Sequence, residues 1–135
     1  MGGAMELLIA FSTDDGENLV DDHAGMAKYF YVYRFCEGKQ ELVEIRENVK
    51  FEGDESNKHG DPQKARATSS ALRDIHVLAN KKFGPNLTRL LKDFLCVVVR
   101  THTVNDAIEV IRDNIDTVAD EYNKGVDRKH LVLKP

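Results

Sequence analysis

Five consecutive residues, Leu95-Cys96-Val97-Val98-Val99, carry no polar side chain on either side of the alternation. In an extended chain successive side chains point to opposite faces, so this strand needs apolar cover on both. A strand of that kind belongs inside a sheet with helices on each face. Helix signals stand on both sides of it. Gly84-Pro85-Asn86 precedes an apolar stripe of Leu87, Leu90, Leu91 and Phe94, and Thr103-Val104-Asn105-Asp106 follows. The chain therefore reads as a layered α/β domain, in which ligands bind beyond the strand ends.

The remaining elements follow from periodicity and punctuation. Leu7 to Phe11 reads as a buried first strand, and Ser12 to Asp22, polar and acidic with Gly16 as breaker, as a loop. Phe30 to Phe35 is aromatic and β-branched, and Leu42 to Phe51 alternates, with Val43, Ile45, Val49 and Phe51 on one side. The two are expected to pair as a hairpin through Glu37-Gly38-Lys39-Gln40. Glu52 to Gly60 reads as a polar loop. Asp61-Pro62 then opens a helix running to about Arg73, followed by a short strand at Ile75 to Ala79. A further helix is expected over Gly84 to Phe94, with Pro85 at its first position. Thr103 caps the last helix, with Asp106 at the third position. Val104, Ile108, Ile111, Ile115, Val118 and Tyr122 predict one continuous amphipathic helix stopped at Gly125. Residues 1–5 read as a disordered or expression-derived start, 6–125 as a single domain, and 126–135 as a tail with a small edge strand at Leu131-Val132-Leu133.

A length of 135 residues suits one domain with its own core. The formal charge of −4 offers no basic field for a phosphate backbone, so no nucleic-acid partner is expected. No apolar run approaches the ~20 residues of a membrane span, and none resembles a secretory h-region, so a cytoplasmic protein without a membrane partner is expected. Cys36 and Cys96 make no disulfide framework.

The first strand running into Ser12-Thr13-Asp14-Asp15-Gly16, the stretch His23-Ala24-Gly25-Met26-Ala27-Lys28-Tyr29-Phe30, then Gly84-Pro85-Asn86 and Thr103-Val104-Asn105-Asp106-Ala107-Ile108 occur in that order. In their order and spacing they resemble the nitrogenase iron–molybdenum cofactor biosynthesis family (NifX, NafY and the NifB C-terminal domain). The resemblance covers about Leu7 to Ile115. Where the family pattern has His-Phe-Gly, this chain has His23-Ala24-Gly25. It implies a three-layer α/β/α, ribonuclease-H-like fold. The implied sheet is mixed and five-stranded, of order 3-2-1-4-5, with strand 2 antiparallel. It also implies a non-enzymatic carrier of an iron–molybdenum cofactor or an iron–sulfur precursor. Its partners would be cofactor-assembly or acceptor proteins.

That topology brings the loops after strands one, three, four and five to one edge. The candidate metal ligands are then His23, His59 and His102, with His23 first because it maps to the family's characteristic histidine. His23, Lys81, Lys82, Asn86 and Arg100 are the candidate cofactor-binding residues, aided by the N-termini of the two helices beginning at Pro85 and Val104. A metal–sulfur cluster with organic carboxylates is a bulky anion, and imidazole can ligate iron. His76 falls at the opposite end as a structural residue. Cys36 and Cys96, three strand spacings or roughly 14 Å apart, cannot share a metal or a disulfide.

Two other classes compete. A two-metal nuclease needs clustered carboxylates, including one in the first strand, and Leu7 to Phe11 has none. The acidic loop could still hold a hard cation such as Mg²⁺ or Ca²⁺ weakly. An interaction or regulatory module is the stronger alternative. If the last helix outruns the sheet, Ile115, Val118 and Tyr122 need a partner, and a second copy forming a homodimer is the candidate.

Overall fold

The computed structural model describes residues 6–48 and 62–135. Six strands form one sheet of order β3-β2-β1-β4-β5-β6. These are β1 (Glu6–Thr13), β2 (Tyr29–Cys36), β3 (Lys39–Glu47), β4 (Val77–Asn80), β5 (Leu95–Val99) and β6 (Leu131–Leu133). β2 runs antiparallel to β1 and β3, whereas β4, β5 and β6 run parallel with β1. The helices are α1 (Pro62–Ala71), α2 (Leu87–Leu90), α3 (Val104–Asp113) and α4 (Ile115–Tyr122).

Two cores lie on opposite faces of the sheet. Leu7, Ile9, Phe11, Val97 and Val99 meet Val104, Ala107, Ile111 and Val118 of α3 and α4. Leu78 and Cys96 face the other way, with Phe30, Ala65 of α1, Leu90 of α2 and Phe94. The arrangement is consistent with α/β/α layering. β5 is as the sequence demands: Leu95, Cys96, Val97 and Val99 are fully buried. Cys36 and Cys96 are both free thiols, and burial raises the Cys96 thiol far above its ordinary value.

Four expectations are corrected. The five-strand order 3-2-1-4-5 would leave β5 at an edge. β6 pairs along it through Val97–Leu131 and Val99–Leu133, which makes β5 interior and gives 3-2-1-4-5-6. The helix expected over Gly84 to Phe94 is four residues long, because the chain around Pro85 turns and leaves only Leu87–Leu90 helical. The last helix is two. Asn114 takes φ −122°, ψ 22°, and its side-chain amide donates to the Val110 carbonyl at 2.8 Å. The break aims α4 back onto the sheet, so Val118 is fully buried and Ile115 and Tyr122 pack against the same core. The argument for a homodimer through these residues therefore falls. Finally, β3 is a solvated edge. A bulge opposite Val32 and Tyr33 interrupts its register, and Leu42, Val43 and Ile45 are exposed. Val49, Phe51, the Glu52 to Gly60 loop and the Asp61 cap lie outside the described residues.

Candidate functional site

β1, β4 and β5 end at one edge of the sheet, where β2 begins, because three of these strands are parallel and the fourth is antiparallel to β1. The loop after β1 crosses this rim and is stitched to both neighbouring loops. The Leu19 N–H donates to the His102 carbonyl at 2.9 Å, and the Val104 N–H to the Glu17 carbonyl at 2.8 Å. On the other side the Asn80 side-chain amide donates to the carbonyls of Asp22 at 3.1 Å and Lys82 at 3.0 Å. The Ser12 hydroxyl donates to the Ala24 carbonyl at 2.8 Å, fixing the 3₁₀ turn Ala24–Met26 that follows His23.

The acidic residues of the first loop mostly serve the loop itself. The Asp15 carboxylate accepts from the N–H groups of Asn18 at 2.8 Å and Glu17 at 2.9 Å and from the Asn18 amide. These bonds, that from the Asn18 N–H foremost, hold its pKa well below the usual carboxylate range. Asp14 accepts from the Lys28 N–H at 2.8 Å. Gly16 takes φ +83° beneath the Tyr31 ring, a position where a side chain would be both strained and in collision. Asp21 is ion-paired with the Lys81 ammonium, whose hydrogen bond lowers the Asp21 pKa.

The structure divides the expected site residues into two neighbouring groups. His102 and Lys81 line a cavity of about 520 Å³ together with Asp14, Asp15, Asn18 and Asp21. His23 does not line it. Its ring lies against Gly84, so closely that a Cβ there would collide with the imidazole. Lys82 is exposed on the same loop. Asn86 turns its side-chain oxygen to the Arg89 guanidinium at 3.1 Å. Arg100 is exposed at the end of β5, its N–H donating to the Leu133 carbonyl at 2.9 Å. His59 lies outside the described residues. His76 is at the far end, where its Nδ1 accepts from the Leu8 N–H at 2.8 Å and its ring meets the edge of Tyr122.

Two features depart from the expected anion cradle. Carboxylates share the cavity with its cations, so its field is mixed. The two helix N-termini contribute little. α2 is a single turn, and at α3 the Val104 N–H is taken by Glu17 and the Asp106 N–H by the Thr103 hydroxyl at 3.0 Å. Sequence reading passed over Asp21, Asn80 and Gly84. An acidic run facing Lys81-Lys82 across a parallel sheet was the available signal for the first; nothing in the sequence pointed to the other two.

Among the described residues, no three His, Cys, Asp or Glu side chains gather closely enough to hold a metal ion. The rim does carry two buried polar atoms without a partner, Asn80 Oδ1 at the end of β4 and Thr101 Oγ1 just past β5. Such atoms are uncommon in a packed interior and collect where a ligand or water completes them. A family model described as "Dinitrogenase iron-molybdenum cofactor" matches residues 5–120. No curated protein matches the chain.

Proposed function

The chain belongs to the dinitrogenase iron–molybdenum cofactor family, and from that premise we propose that it carries an iron–molybdenum cofactor, or an iron–sulfur precursor of it, on the strand-end rim. Membership ties it to the biosynthesis or binding of that cofactor, and proteins of this family generally bind or carry and do not turn over. His23 is the proposed ligand, with His102 as the second imidazole. Lys81, Lys82 and Arg100 would face the anionic part of the cargo. His59 and Asn86 stay in the proposal as secondary contacts. The ribonuclease-H-like topology, a cytoplasmic location and delivery to an assembly or acceptor protein belong to the same reading. Among the described residues no helix is long and apolar enough to cross a membrane.

The observation that carries this reading is the packing of His23, on the loop after β1, against the loop after β4. Its ring is held by close approach to Gly84, and the buried, unpartnered oxygen of Asn80 stands at the end of β4, where that loop begins. An imidazole fixed in this way loses little freedom on ligating a cluster, which favours transient but specific carriage. Anaerobic loading with isolated cofactor, followed by visible and EPR spectra, tests it. Wild type should show a perturbed cluster spectrum, lost in His23→Ala and weakened in Gly84→Ala, whose new Cβ displaces the ring. Unaltered loading of His23→Ala would remove the ligand assignment.

A second reading is an interaction module that kept the fold without the cluster site, favoured by the carboxylates of Asp14, Asp15 and Asp21 beside Lys81 in the rim cavity, which oppose an anionic cargo. Absence of any spectral change in wild type would favour it.

A further inference from the structure

Away from the rim, a groove of about 610 Å³ runs between α1 and the segment that leads from α2 into β5. Arg66, Arg73, Arg89 and Lys92 line it, against the carboxylates of Asp74 and Asp93, in a chain whose formal charge is −4. Asp93 is already engaged, accepting from the Ser69 hydroxyl at 2.8 Å. Arg66, Arg73 and Lys92 are exposed and enter no ion pair among the described residues. Beneath the charged walls the floor is apolar, formed by the buried Leu72, Ile75 and Phe94.

We propose that this groove docks an acidic, amphipathic segment of a partner protein. Charge selects the occupant. A local excess of cations on an acidic molecule attracts carboxylates at short range, while the net charge repels an extended polyanion. Two of the three exposed cations, Arg66 and Arg73, are arginines, whose guanidinium fork matches carboxylates two bonds at a time. The aliphatic stems of Arg66, Arg73 and Lys92 above that closed floor suit short apolar side chains set between carboxylates, which a phosphate backbone lacks. The groove shares no lining residue with the rim cavity, so docking stands whether or not the rim carries cargo.

An NMR titration of the full chain tests the assignment. The probes are a synthetic Glu-Glu-Leu repeat peptide, a Lys-Lys-Leu peptide of equal length, and a single-stranded oligonucleotide. The acidic peptide should shift the amides of α1 and of residues 89–94, bind more weakly as salt rises, and lose roughly tenfold or more in affinity to Arg66→Glu/Arg73→Glu. Should that double variant give an unfolded spectrum, Lys92→Glu carries the same direction of change. Shifts confined to other surfaces, equal binding of the lysine peptide, stronger binding of the oligonucleotide, or undiminished affinity in the charge-reversed chain would each overturn the proposal.

Discussion

His76 shows how a single side chain can couple the far end of the sheet to pH. Its Nδ1 accepts a backbone hydrogen bond, and burial of the ring lowers its pKa from 6.5. The folded protein therefore binds a proton there less readily than the unfolded chain does. The stabilisation is fully present above pH 6.5 and is lost as pH falls through the depressed folded value. Urea melts between pH 8 and 5 should show this decline. His76→Asn, which keeps an acceptor near the same place without titrating, should flatten it, and an unchanged slope would exclude His76 as the source. At the rim, Asp21 occupies Lys81. Asp21→Asn should therefore tighten binding of a tricarboxylate such as citrate by a few-fold, read by calorimetry; weaker binding would mean that the pair organises the loop. His76 as a structural residue was legible from its place at the start of a strand. The Asp21–Lys81 pair was not, because the strand order brings the two loops to one rim without saying which of the loop's carboxylates meets which lysine.

At the scale of elements, caps and apolar runs were legible and breaks were not. Thr103 caps α3 as its spacing to Asp106 implied, with the hydroxyl 3.0 Å from the Asp106 N–H. Thr103→Ala should lower stability by about 1 kcal/mol in denaturant titrations. A loss near zero would show that the Val104–Glu17 bond alone suffices to start the helix. The division at Asn114 escaped the sequence for a physical reason. Both helices pack their apolar faces on the same core, so the 4-3-4-3-4 rhythm passes through the break without losing phase. The short α2 escaped because Gly84-Pro85-Asn86 marks a helix start without saying whether the backbone continues. The alternation from Leu42 to Phe51, with Val43 and Ile45 on one side, implies a half-buried strand. The bulge and the edge position leave those side chains in solvent instead.

For the whole molecule, the decisive element is the smallest. β6 turns β5 from an edge into an interior strand, and Arg128 secures its approach. The Arg128 guanidinium donates to the carbonyls of Tyr122 at 2.9 Å and Leu91 at 2.8 Å and lies over the Tyr122 ring at 4.8 Å. Removing residues 129–135 should cost about 1–3 kcal/mol, from lost burial of Leu133 and the opened ladder. It should also promote association through the bared β5 edge, visible by light scattering. A truncated chain with full stability and unchanged mass would assign β6 no structural role. The gathering of loops at the rim was legible once parallel strands were expected, since topology alone dictates it. The mixed charge of that rim was not, because nothing in the spacing says that Asp14, Asp15 and Asp21 line the same cavity as Lys81 and His102.

The direction of β6 has a practical sequel. Because it runs parallel to β5, Lys134 and Pro135 leave the sheet beside Arg100, at the edge that bears His102. A polyhistidine purification handle joined after Pro135 would hang within reach of any incoming cluster and offer it rival imidazoles. One joined ahead of Glu6 would enter from the opposite edge, where β1 begins. Loading experiments are cleanest with the handle at the front.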